Sequence, residues 1–386
     1  MKSKSASIIV TSYNYARFLQ ETIDSALAQT YRDCEVIVVD DGSTDNSRDI
    51  ICSYAERVIP VIKENGGQAS AFNAGFAASR GDVVFFLDSD DVLSAHAVET
   101  AMPLFDEPAV VKVHWPLWLM DACSQLTGDR LPNRVPPQGD FRDIVLRDGP
   151  YYDWNCIPPT TGNAWTRGFL DAVLPMPEPE YRICADEYLF SLAPVCGLMR
   201  TVAEPLGCYR AHGSNNGWRK RLSDDKVKAD MLRFEYSCQM LAAYLQRDGE
   251  RADPNVWLQR NWNYQWMVRL QKAKQDLLSV IPVNFGFVLV DGGDWGGQLL
   301  ENRHAIPFVE RDGQYWGPPE NDASAIREME RLCASGAEFI VVWWTAFWWL
   351  DNYAGLHAYL NSRFERILSN DRLIVFRAPP QALSNT

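Results

Sequence analysis

The sequence lacks the features that would assign it to several specialised classes of protein. Its nine cysteines are scattered singly over 386 residues, with no C-x-x-C pair and no histidines at zinc-binding spacing, so we expect reduced thiols. Basic residues are in deficit, 37 against 50 acidic residues, and the resulting net charge of −13 disfavours a nucleic-acid partner. Long apolar runs are missing as well. The most apolar window, residues 339–350, is well short of the ~20 residues that cross a bilayer, and we interpret it as a buried strand followed by a helix.

The remaining composition is that of an ordinary globular protein, with 47% hydrophobic and 23% charged residues. At roughly 150 residues per domain, the length suggests two or three domains with sizeable cores. Residues 1–7 are polar, and no apolar run of the length of a secretory signal follows them. The sequence therefore predicts a cytoplasmic protein.

The first quarter of the chain alternates apolar runs with amphipathic segments. The pattern predicts three helices between four strands, at residues 7–10, 35–39, 58–62 and 83–87. Strands that are apolar almost throughout are typical of a parallel sheet covered by helices on both faces. In such sheets ligands bind beyond the carboxyl ends of the strands, where the polar loops of this sequence fall.

The rest of the chain is less regular. Residues 103–167 are rich in proline and aromatic residues, and we expect irregular structure there that closes over a cleft. Helical spacing recurs at residues 186–196, 223–247 and 256–278, the last two forming a hairpin. A second series of strands and helices follows and predicts a smaller α/β unit. We therefore divide the chain into a main α/β domain (1–220), a helical linker (221–279) and an accessory α/β domain (280–386).

An acidic turn, Asp88-Ser89-Asp90-Asp91, comes directly after the last of the four predicted strands. Asp88 and Asp90 are two residues apart on an extended chain, so both can face one ligand. Carboxylates together with substrate phosphates are the ligands that Mg²⁺ and Mn²⁺ prefer, so the turn suits a metal–diphosphate complex. The alternative is an acidic strand-end turn in which Asp91 caps the next helix.

Four polar motifs, of which this acidic turn is the last, occur at or near the ends of the predicted strands. They are Thr11-Ser12-Tyr13-Asn14, Asp40-Asp41-Gly42-Ser43, Asn65-Gly66-Gly67 continuing to Asn73-Ala74-Gly75, and Asp88-Ser89-Asp90-Asp91. Together they resemble the family 2 glycosyltransferases, which have the GT-A nucleotide-diphospho-sugar transferase fold. The resemblance is dense over residues 5–95 and thinner to about residue 217.

The resemblance implies roles for individual residues of these motifs. The predicted donor-binding residues are Thr11, Tyr13, Asp41, Gly67, Gln68, Asn73 and Asp88. Of these, the first three would hold the nucleoside of a sugar nucleotide and Asp88 would contact its ribose side, while Asp90 would bind the metal. Taken alone, a core tyrosine, a turn-forming aspartate and glycines at positive φ would explain several of these positions equally well.

A second acidic pair, Asp186-Glu187, opens a predicted helix. In the resembled family a carboxylate at this helix start is the base that takes the proton from the acceptor hydroxyl, and Asp186 fits that role better than Glu187. A base is needed because a sugar hydroxyl is a poor nucleophile until its proton is removed. The alternative is a simple acidic helix cap.

Further along, the segment from Tyr209 to Asn216 resembles the Y-R-x-H-G-x-N segment of many family members. The resemblance suggests that Arg210 balances diphosphate charge and that His212 completes the metal shell or contacts the phosphates. We predict acceptor-binding roles for Trp154, Asn163 and Glu187, with packing as the alternative for Trp154.

The leading hypothesis is an inverting glycosyltransferase that depends on Mn²⁺ or Mg²⁺. Its donor would be a UDP, GDP or dTDP sugar and its acceptor a glycan or lipid-linked hydroxyl, in the synthesis of bacterial surface polysaccharide or glycan. The basic cluster Trp218-Arg219-Lys220-Arg221 is compatible with peripheral contact with the inner face of the membrane. The sequence is also compatible with formation of a homo-oligomer. The main alternative is a non-catalytic scaffold that binds a nucleotide sugar or glycan. A nucleotidyltransferase is disfavoured because the early loops offer only Arg17 and Lys63 to grip a triphosphate.

Overall fold

The computed structural model of the protein describes residues 4–150, 156–213, 215, 223–293 and 303–379. Contacts divide the chain into two compact units. The first comprises residues 1–220 and 232–261, and the second comprises residues 221–231 and 262–386. The residues of the predicted helical linker are thus shared between the two units.

The first unit begins with alternating strands and helices. Its elements up to residue 101 are β1 (Ala6–Ser12), α1 (Ala16–Leu27), β2 (Cys34–Asp41), α2 (Ser47–Ser53), β3 (Ile59–Lys63), α3 (Gln68–Ala78), β4 (Val83–Asp88), β5 (Val92–Leu93) and α4 (Ala97–Ala101). All four predicted strands are present. Strands β1 and β4 are buried almost throughout, which is why their sequences are continuously apolar.

Regular structure continues through the segment that the sequence analysis interpreted as irregular. The elements are β6 (Val110–His114), β7 (Leu117–Asp121), β8 (Leu126–Leu131), α5 (Arg142–Asp148), β9 (Asn163–Thr166), α6 (Arg167–Val173), α7 (Asp186–Cys196), β10 (Leu198–Thr201) and β11 (Gly207–Ala211). The prediction of irregular structure over residues 103–167 was therefore wrong. Two features hid these strands: β6 buries the polar side chains Lys112 and His114, and β8 is largely exposed and polar.

The main sheet of the first unit has seven strands in the order β10-β6-β9-β4-β1-β2-β3. Strands β4, β1, β2 and β3 are parallel neighbours, and β9 runs antiparallel to both β4 and β6. Helix α1 packs Leu19 and Ile23 into the core on one face, while Phe72 of α3 stacks on Phe86 of β4 with ring centroids 4.0 Å apart. The predicted fold class, a mostly parallel sheet with helices on both faces, is confirmed. A second sheet has the order β5-β11-β7-β8.

Three helices follow: α8 (Asp224–Arg247), α9 (Pro254–Arg260) and α10 (Trp262–Val280). The single helix predicted over residues 256–278 was wrong in one respect, because the chain takes an extended backbone conformation at Asn261. Trp257 anchors α9 within the first unit. Its buried indole donates Nε1–H to the carbonyl of Leu146 at 3.1 Å and ties α9 to α5.

The second unit contains a five-stranded sheet in the order β13-β12-β16-β18-β17. Its elements after α10 are β12 (Gly286–Val290), β13 (His304–Pro307), β14 (Glu310–Arg311), β15 (Gln314–Tyr315), α11 (Asp322–Ala334), β16 (Phe339–Trp343), α12 (Trp348–Asn352), α13 (Ala354–Arg363), β17 (Glu365–Ser369) and β18 (Leu373–Arg377). The apolar window at residues 339–350 is a buried strand followed by a short helix, as predicted. In the parts of the chain that the structure describes, no helix has both the length and the apolar character needed to span a membrane. All nine cysteines are free thiols.

Candidate active site

A cavity of about 460 Å³ opens at the carboxyl ends of β1, β2 and β4. The parallel register of these three strands brings their ends together, so that side chains distant in sequence converge. The predicted site residues that line the cavity are Thr11, Tyr13, Asp41, Gly67, Gln68, Asp88, Asp90 and Asp186. The structure therefore brings together the ends of all four sequence motifs and the predicted base.

Asp41 lies at the end of β2 and organises the glycine-containing loop. Its Oδ1 accepts hydrogen bonds from Lys63 Nζ (2.6 Å) and Gly66 N–H (2.9 Å), and its Oδ2 accepts from Asn65 Nδ2 (3.1 Å) and Gly67 N–H (2.7 Å). These four donors match the number of lone pairs that a carboxylate offers. Any further N–H donor that approaches Asp41 must therefore share or displace one of these four. Nearby, Tyr13 is 45% exposed and presents an aromatic face to the cavity.

Gly67 is required by close packing. Its backbone has φ +91°, and a Cβ atom at this position would lie 2.4 Å from Cγ and 2.6 Å from the carbonyl oxygen of Arg182. The next residue, Gln68, donates its backbone N–H to that same carbonyl at 2.9 Å. The segment that precedes α7 is thus docked on the start of α3, and a side chain larger than hydrogen at residue 67 would push it away.

The cavity is strongly acidic. Among the described residues that line it, four are aspartates and one, Arg182, is a cation. Burial, followed by the negative charges of Asp90 and Asp186, raises the pKa of Asp88 to about 8. Burial also raises the pKa of Asp186 above its ordinary value, although a hydrogen bond from Thr160 opposes the shift. These carboxyl groups therefore oppose one another's ionisation, and a bound cation would relieve that repulsion.

The residues at this edge fit a hard divalent cation. Asp90 Oδ2 accepts hydrogen bonds from His212 Nε2 (2.9 Å) and Asn215 Nδ2 (3.4 Å), so the predicted metal residues Asp90 and His212 are neighbours. In the described residues no set of three or more His, Cys, Asp or Glu side chains is arranged to hold a metal. Mg²⁺ and Mn²⁺ commonly take only one or two protein carboxylates and complete their shell with phosphate oxygens and water. The carboxylate oxygens of Asp88 and Asp90 are consistent with that mode of metal binding.

Asp186 and Glu187 differ in their surroundings. Asp186 is the first residue of α7 and lines the cavity, where its Oδ2 accepts a hydrogen bond from Thr160 Oγ1 at 3.2 Å. Glu187 is buried and its Oε2 accepts from Arg233 Nε at 2.6 Å. Of the two acids, only Asp186 is among the residues that line the cavity. Glu187, predicted to bind the acceptor, pairs with α8.

Arg210 lies beneath the acidic turn. Its guanidinium is fully buried and donates to Glu21 Oε2 (2.6 Å), Ser124 Oγ (2.7 Å) and the carbonyl of Asp90 (2.6 Å), and it lies 4.7 Å from the ring centroid of Phe18. It is not among the residues that line the cavity. The structure therefore does not place Arg210 where the sequence analysis expected a partner for the diphosphate.

Three other described residues of the predicted site, Asn73, Asn163 and His212, are likewise not among the residues that line the cavity. The amide of Asn73 donates to the carbonyl of Met176 (3.0 Å) and accepts from its N–H (2.9 Å). Asn163 is buried, and its Nδ2 donates to the carbonyls of residues 158, 159 and 160, which fixes that turn. Trp154 and the Trp218-Arg219-Lys220-Arg221 cluster lie outside the described residues.

The cavity also contains residues that the sequence analysis did not select. Tyr15, Thr160, Arg182 and Asn215 are the chief examples. Asn215 belongs to the quoted Tyr209–Asn216 segment, so its position in that motif was a usable signal. Thr160 and Arg182 are distant in sequence from the strand-end motifs, and only the fold brings them to the site.

Comparison with known proteins gives a consistent family. The family model described as Glycosyl transferase family 2 matches residues 7–136. An uncharacterised glycosyltransferase of Nostoc sp. is 37% identical over 280 residues, which are 71% of this chain and 85% of that protein. Glycosyltransferase GlyG of Streptococcus pneumoniae is 39% identical over 102 residues, which are 25% of this chain and 34% of that protein. A solved structure, S. aureus TarS in complex with UDP-GlcNAc, is 19% identical over 72% of this chain and 82% of that chain, with a TM-score of 0.47.

The Nostoc relative is the most informative of these proteins, because its similarity extends over most of both chains. The part of the chain that the family model matches contains β1, β2, β4 and the acidic turn, which carry most of the predicted site residues that line the cavity. This chain therefore belongs to family 2 of the glycosyltransferases and is a transferase enzyme.

Proposed function

We propose that this glycosyltransferase is an inverting, metal-dependent enzyme. It transfers a sugar from a UDP, GDP or dTDP sugar to a hydroxyl group of a glycan or lipid-linked acceptor. The observation that carries the proposal is the convergence of Tyr13, Asp41, Asp88 and Asp90 with Asp186 around one cavity. The first four suit a metal–nucleotide complex, and the fifth suits a base.

Charge and position support the roles of these side chains. The exposed ring of Tyr13 and the carboxylate of Asp41 face the nucleoside, and Asp88 faces its ribose side. Asp90 and Asp88 hold the cation. When bound, Mg²⁺ or Mn²⁺ supplies positive charge that stabilises the departing diphosphate.

Asp186 acts as the base for the acceptor. As the acceptor oxygen attacks the anomeric carbon, Asp186 takes the hydroxyl proton, the bond between the sugar and the diphosphate breaks, and its electron pair leaves with the diphosphate. A single displacement of this kind inverts the anomeric configuration. Burial moves the pKa of Asp186 upward, towards the working range of a base near neutral pH.

The experiment is a turnover assay with UDP, GDP and dTDP sugars in the presence of Mn²⁺ or Mg²⁺. We expect release of one nucleoside diphosphate, suppression by a chelator, and inversion of the anomeric configuration in the product, observed by NMR. Release with retained configuration would contradict the single displacement. Binding of a sugar nucleotide with no release would instead support the non-catalytic scaffold.

We further propose that the reaction belongs to the synthesis of bacterial surface polysaccharide or glycan, in the cytoplasm or at the inner face of the membrane. The support is membership of family 2 of the glycosyltransferases together with bacterial relatives such as those of Nostoc sp. and Streptococcus pneumoniae. A strain that lacks this protein should lose one surface glycan and recover it on complementation. Unchanged surface glycans would contradict this assignment without affecting the transferase activity itself.

A further inference from the structure

Two polar side chains lie between the carboxyl groups of Asp88 and Asp186. Gln68 Nε2 is 3.3 Å from Asp88 Oδ1 and 3.5 Å from Thr160 Oγ1, and Thr160 Oγ1 is in turn 3.2 Å from Asp186 Oδ2. The backbone N–H of Ala185 donates to Gln68 Oε1 at 3.0 Å, which identifies the other amide atom of Gln68 as the nitrogen. The contacts form a continuous chain from one carboxylate to the other.

The direction of each hydrogen bond follows from the atoms involved. The amide nitrogen of Gln68 has two hydrogens, which it donates to Asp88 and to the oxygen of Thr160. Thr160 can accept from Gln68 and still donate its single hydroxyl hydrogen, and the carboxyl oxygen at 3.2 Å from that hydroxyl is Oδ2 of Asp186. A hydroxyl that accepts one hydrogen bond donates a stronger one, so the interaction with Gln68 reinforces the contact with Asp186.

The backbone of both residues is held by contacts that do not use the hydroxyl of Thr160 or the amide nitrogen of Gln68. Thr160 is 3% exposed and lies in a turn that is closed by a hydrogen bond from Gly162 N–H to the carbonyl of Pro159 (2.8 Å) and by the amide of Asn163. Gln68 is fixed at the start of α3 by its backbone bond to Arg182. The turn is therefore closed without the Thr160 hydroxyl.

The arrangement also suits a base that must stay oriented. Asp186 Oδ1 accepts from Glu187 N–H at 3.1 Å and Oδ2 accepts from Thr160, so each oxygen has one donor and retains a lone pair for an acceptor hydroxyl. Without these donors the carboxylate could rotate away from the cavity.

We propose that Gln68 and Thr160 are positioning residues that orient Asp186 and link its orientation to the donor-binding carboxylate Asp88. The inference rests on the proposed function, in which Asp186 is the base and Asp88 faces the donor. In this proposal Gln68 helps to orient the base, Asp186, in addition to its predicted role in donor binding. Occupation of the donor site fixes Asp88, and through Gln68 and Thr160 it fixes the base.

The experiment compares Thr160→Val, which removes the hydroxyl at nearly constant shape, with Thr160→Ser, which keeps it. For each variant we would measure the Kd for UDP, GDP and dTDP with Mn²⁺ by calorimetry. We would also measure the rate of nucleoside diphosphate release from the matching donor sugar, with water as acceptor where no glycan acceptor is known. We expect Thr160→Val to keep the Kd within about twofold and lose at least about tenfold in kcat, with Thr160→Ser close to wild type.

Gln68→Met and the double variant Gln68→Met/Thr160→Val test the linkage. If the two residues act as one chain, the double variant loses little more kcat than the more damaging single variant. The linkage would be overturned if the loss of kcat in the double variant equalled the product of the two single losses. It would also be overturned by a wild-type kcat for Thr160→Val, or by a loss in Thr160→Ser as large as that in Thr160→Val. Melting temperatures identify a variant that fails to fold. If Thr160→Val is such a variant, the kcat values of Thr160→Ser and Gln68→Met still decide whether the two side chains act on the base. If the wild type releases no diphosphate from any donor, the proposed function fails and this inference fails with it.

Discussion

Asp186 is the side chain on which transfer depends in this account. We expect Asp186→Asn to retain nucleotide binding and to lose about 10² to 10⁴-fold in the rate of transfer, because an amide cannot take the acceptor proton. The measurement is the kcat for diphosphate release together with the Kd for the released nucleotide.

The matched control is Glu187→Gln at the adjacent position. Because Glu187 pairs with Arg233 away from the cavity, its substitution should lower the free energy of unfolding while leaving a folded enzyme that turns over. Loss of turnover in Glu187→Gln, with normal turnover in Asp186→Asn, would move the base to Glu187.

Arg210 is expected to stabilise the fold and not to bind the donor directly. Its three hydrogen bonds and its contact with Phe18 are buried, so Arg210→Met should reduce the free energy of unfolding by roughly 2 to 4 kcal/mol, measured by urea denaturation. If Arg210→Met instead keeps full stability and weakens nucleotide binding, the role first expected from the sequence motif is correct.

At the scale of single residues, the sequence was informative where a functional side chain directly follows a strand. Tyr13, Asp41, Asp88 and Asp90 all come at or just after the ends of buried strands, so the parallel sheet that the pattern predicts also places them together. The environment of Arg210 could not be predicted in this way, because two of its three hydrogen-bond partners lie on α1 and on the turn before β8. Nothing in the sequence around Thr160 indicates its contact with Asp186.

Among the elements, the junction between α3 and the segment before α7 is the most sensitive to packing. Gly67→Ala places a Cβ atom against Arg182 and imposes a positive φ on a residue that tolerates it poorly. We expect a loss of roughly 1 to 3 kcal/mol in the free energy of unfolding and weaker nucleotide binding.

Gly168→Ala in α6 is the control for this substitution. A Cβ atom there meets nothing within 4 Å, so the change should be neutral or slightly stabilising. Equal stability of the two alanine variants would show that the junction is not tightly packed.

The second unit contains a pH-dependent contact between helices. Burial tends to raise the pKa of Asp224 in α8, but hydrogen bonds from Lys228, Gln271 and Lys274 outweigh it and lower the pKa to about 2. The contribution of the carboxylate to stability is therefore present above its unfolded pKa, near 4, and is lost as the pH falls from about 4 to about 2. Asp224→Asn should destabilise the protein by about 1 to 2 kcal/mol at pH 7, allowing for partial solvent screening, and by less at pH 3.

Urea denaturation at several pH values measures this difference. The exposed neighbour Asp225, changed to asparagine, serves as the control and should alter stability little at any pH. A deficit in Asp224→Asn that stays constant between pH 3 and pH 7 would contradict the ionic contact.

At the scale of elements, some strands can be predicted from the sequence and others cannot. Strands β1, β2, β3 and β4 follow from apolar runs, whereas β6 escapes notice because it buries Lys112 and His114. The ammonium of Lys112 lies 4.4 Å from the ring centroid of Phe190 and 5.1 Å from that of Trp165, and burial lowers its pKa to about 7. A polar residue buried against aromatic rings gives a pattern that cannot be told from a loop in the sequence alone.

At the scale of the whole molecule, family membership and the acidic cavity lead to the same expectation. The chain carries a net charge of −13 and lines its cavity with four aspartates, so an anionic nucleotide should bind weakly unless a cation accompanies it. The account therefore depends on binding of a metal–nucleoside diphosphate complex at the ends of β1, β2 and β4.

The most direct test is the thermal stabilisation of the wild type and of Asp90→Ala by UDP, GDP and dTDP, each with Mn²⁺ or with a chelator. A ligand present at 100 times its Kd should add about 2.7 kcal/mol to the free energy of unfolding, which a melting curve resolves. The account predicts stabilisation by one of the nucleotides in the presence of Mn²⁺, lost with the chelator and lost in Asp90→Ala. No stabilisation of the wild type by any nucleotide, or an equal effect in Asp90→Ala, would contradict it.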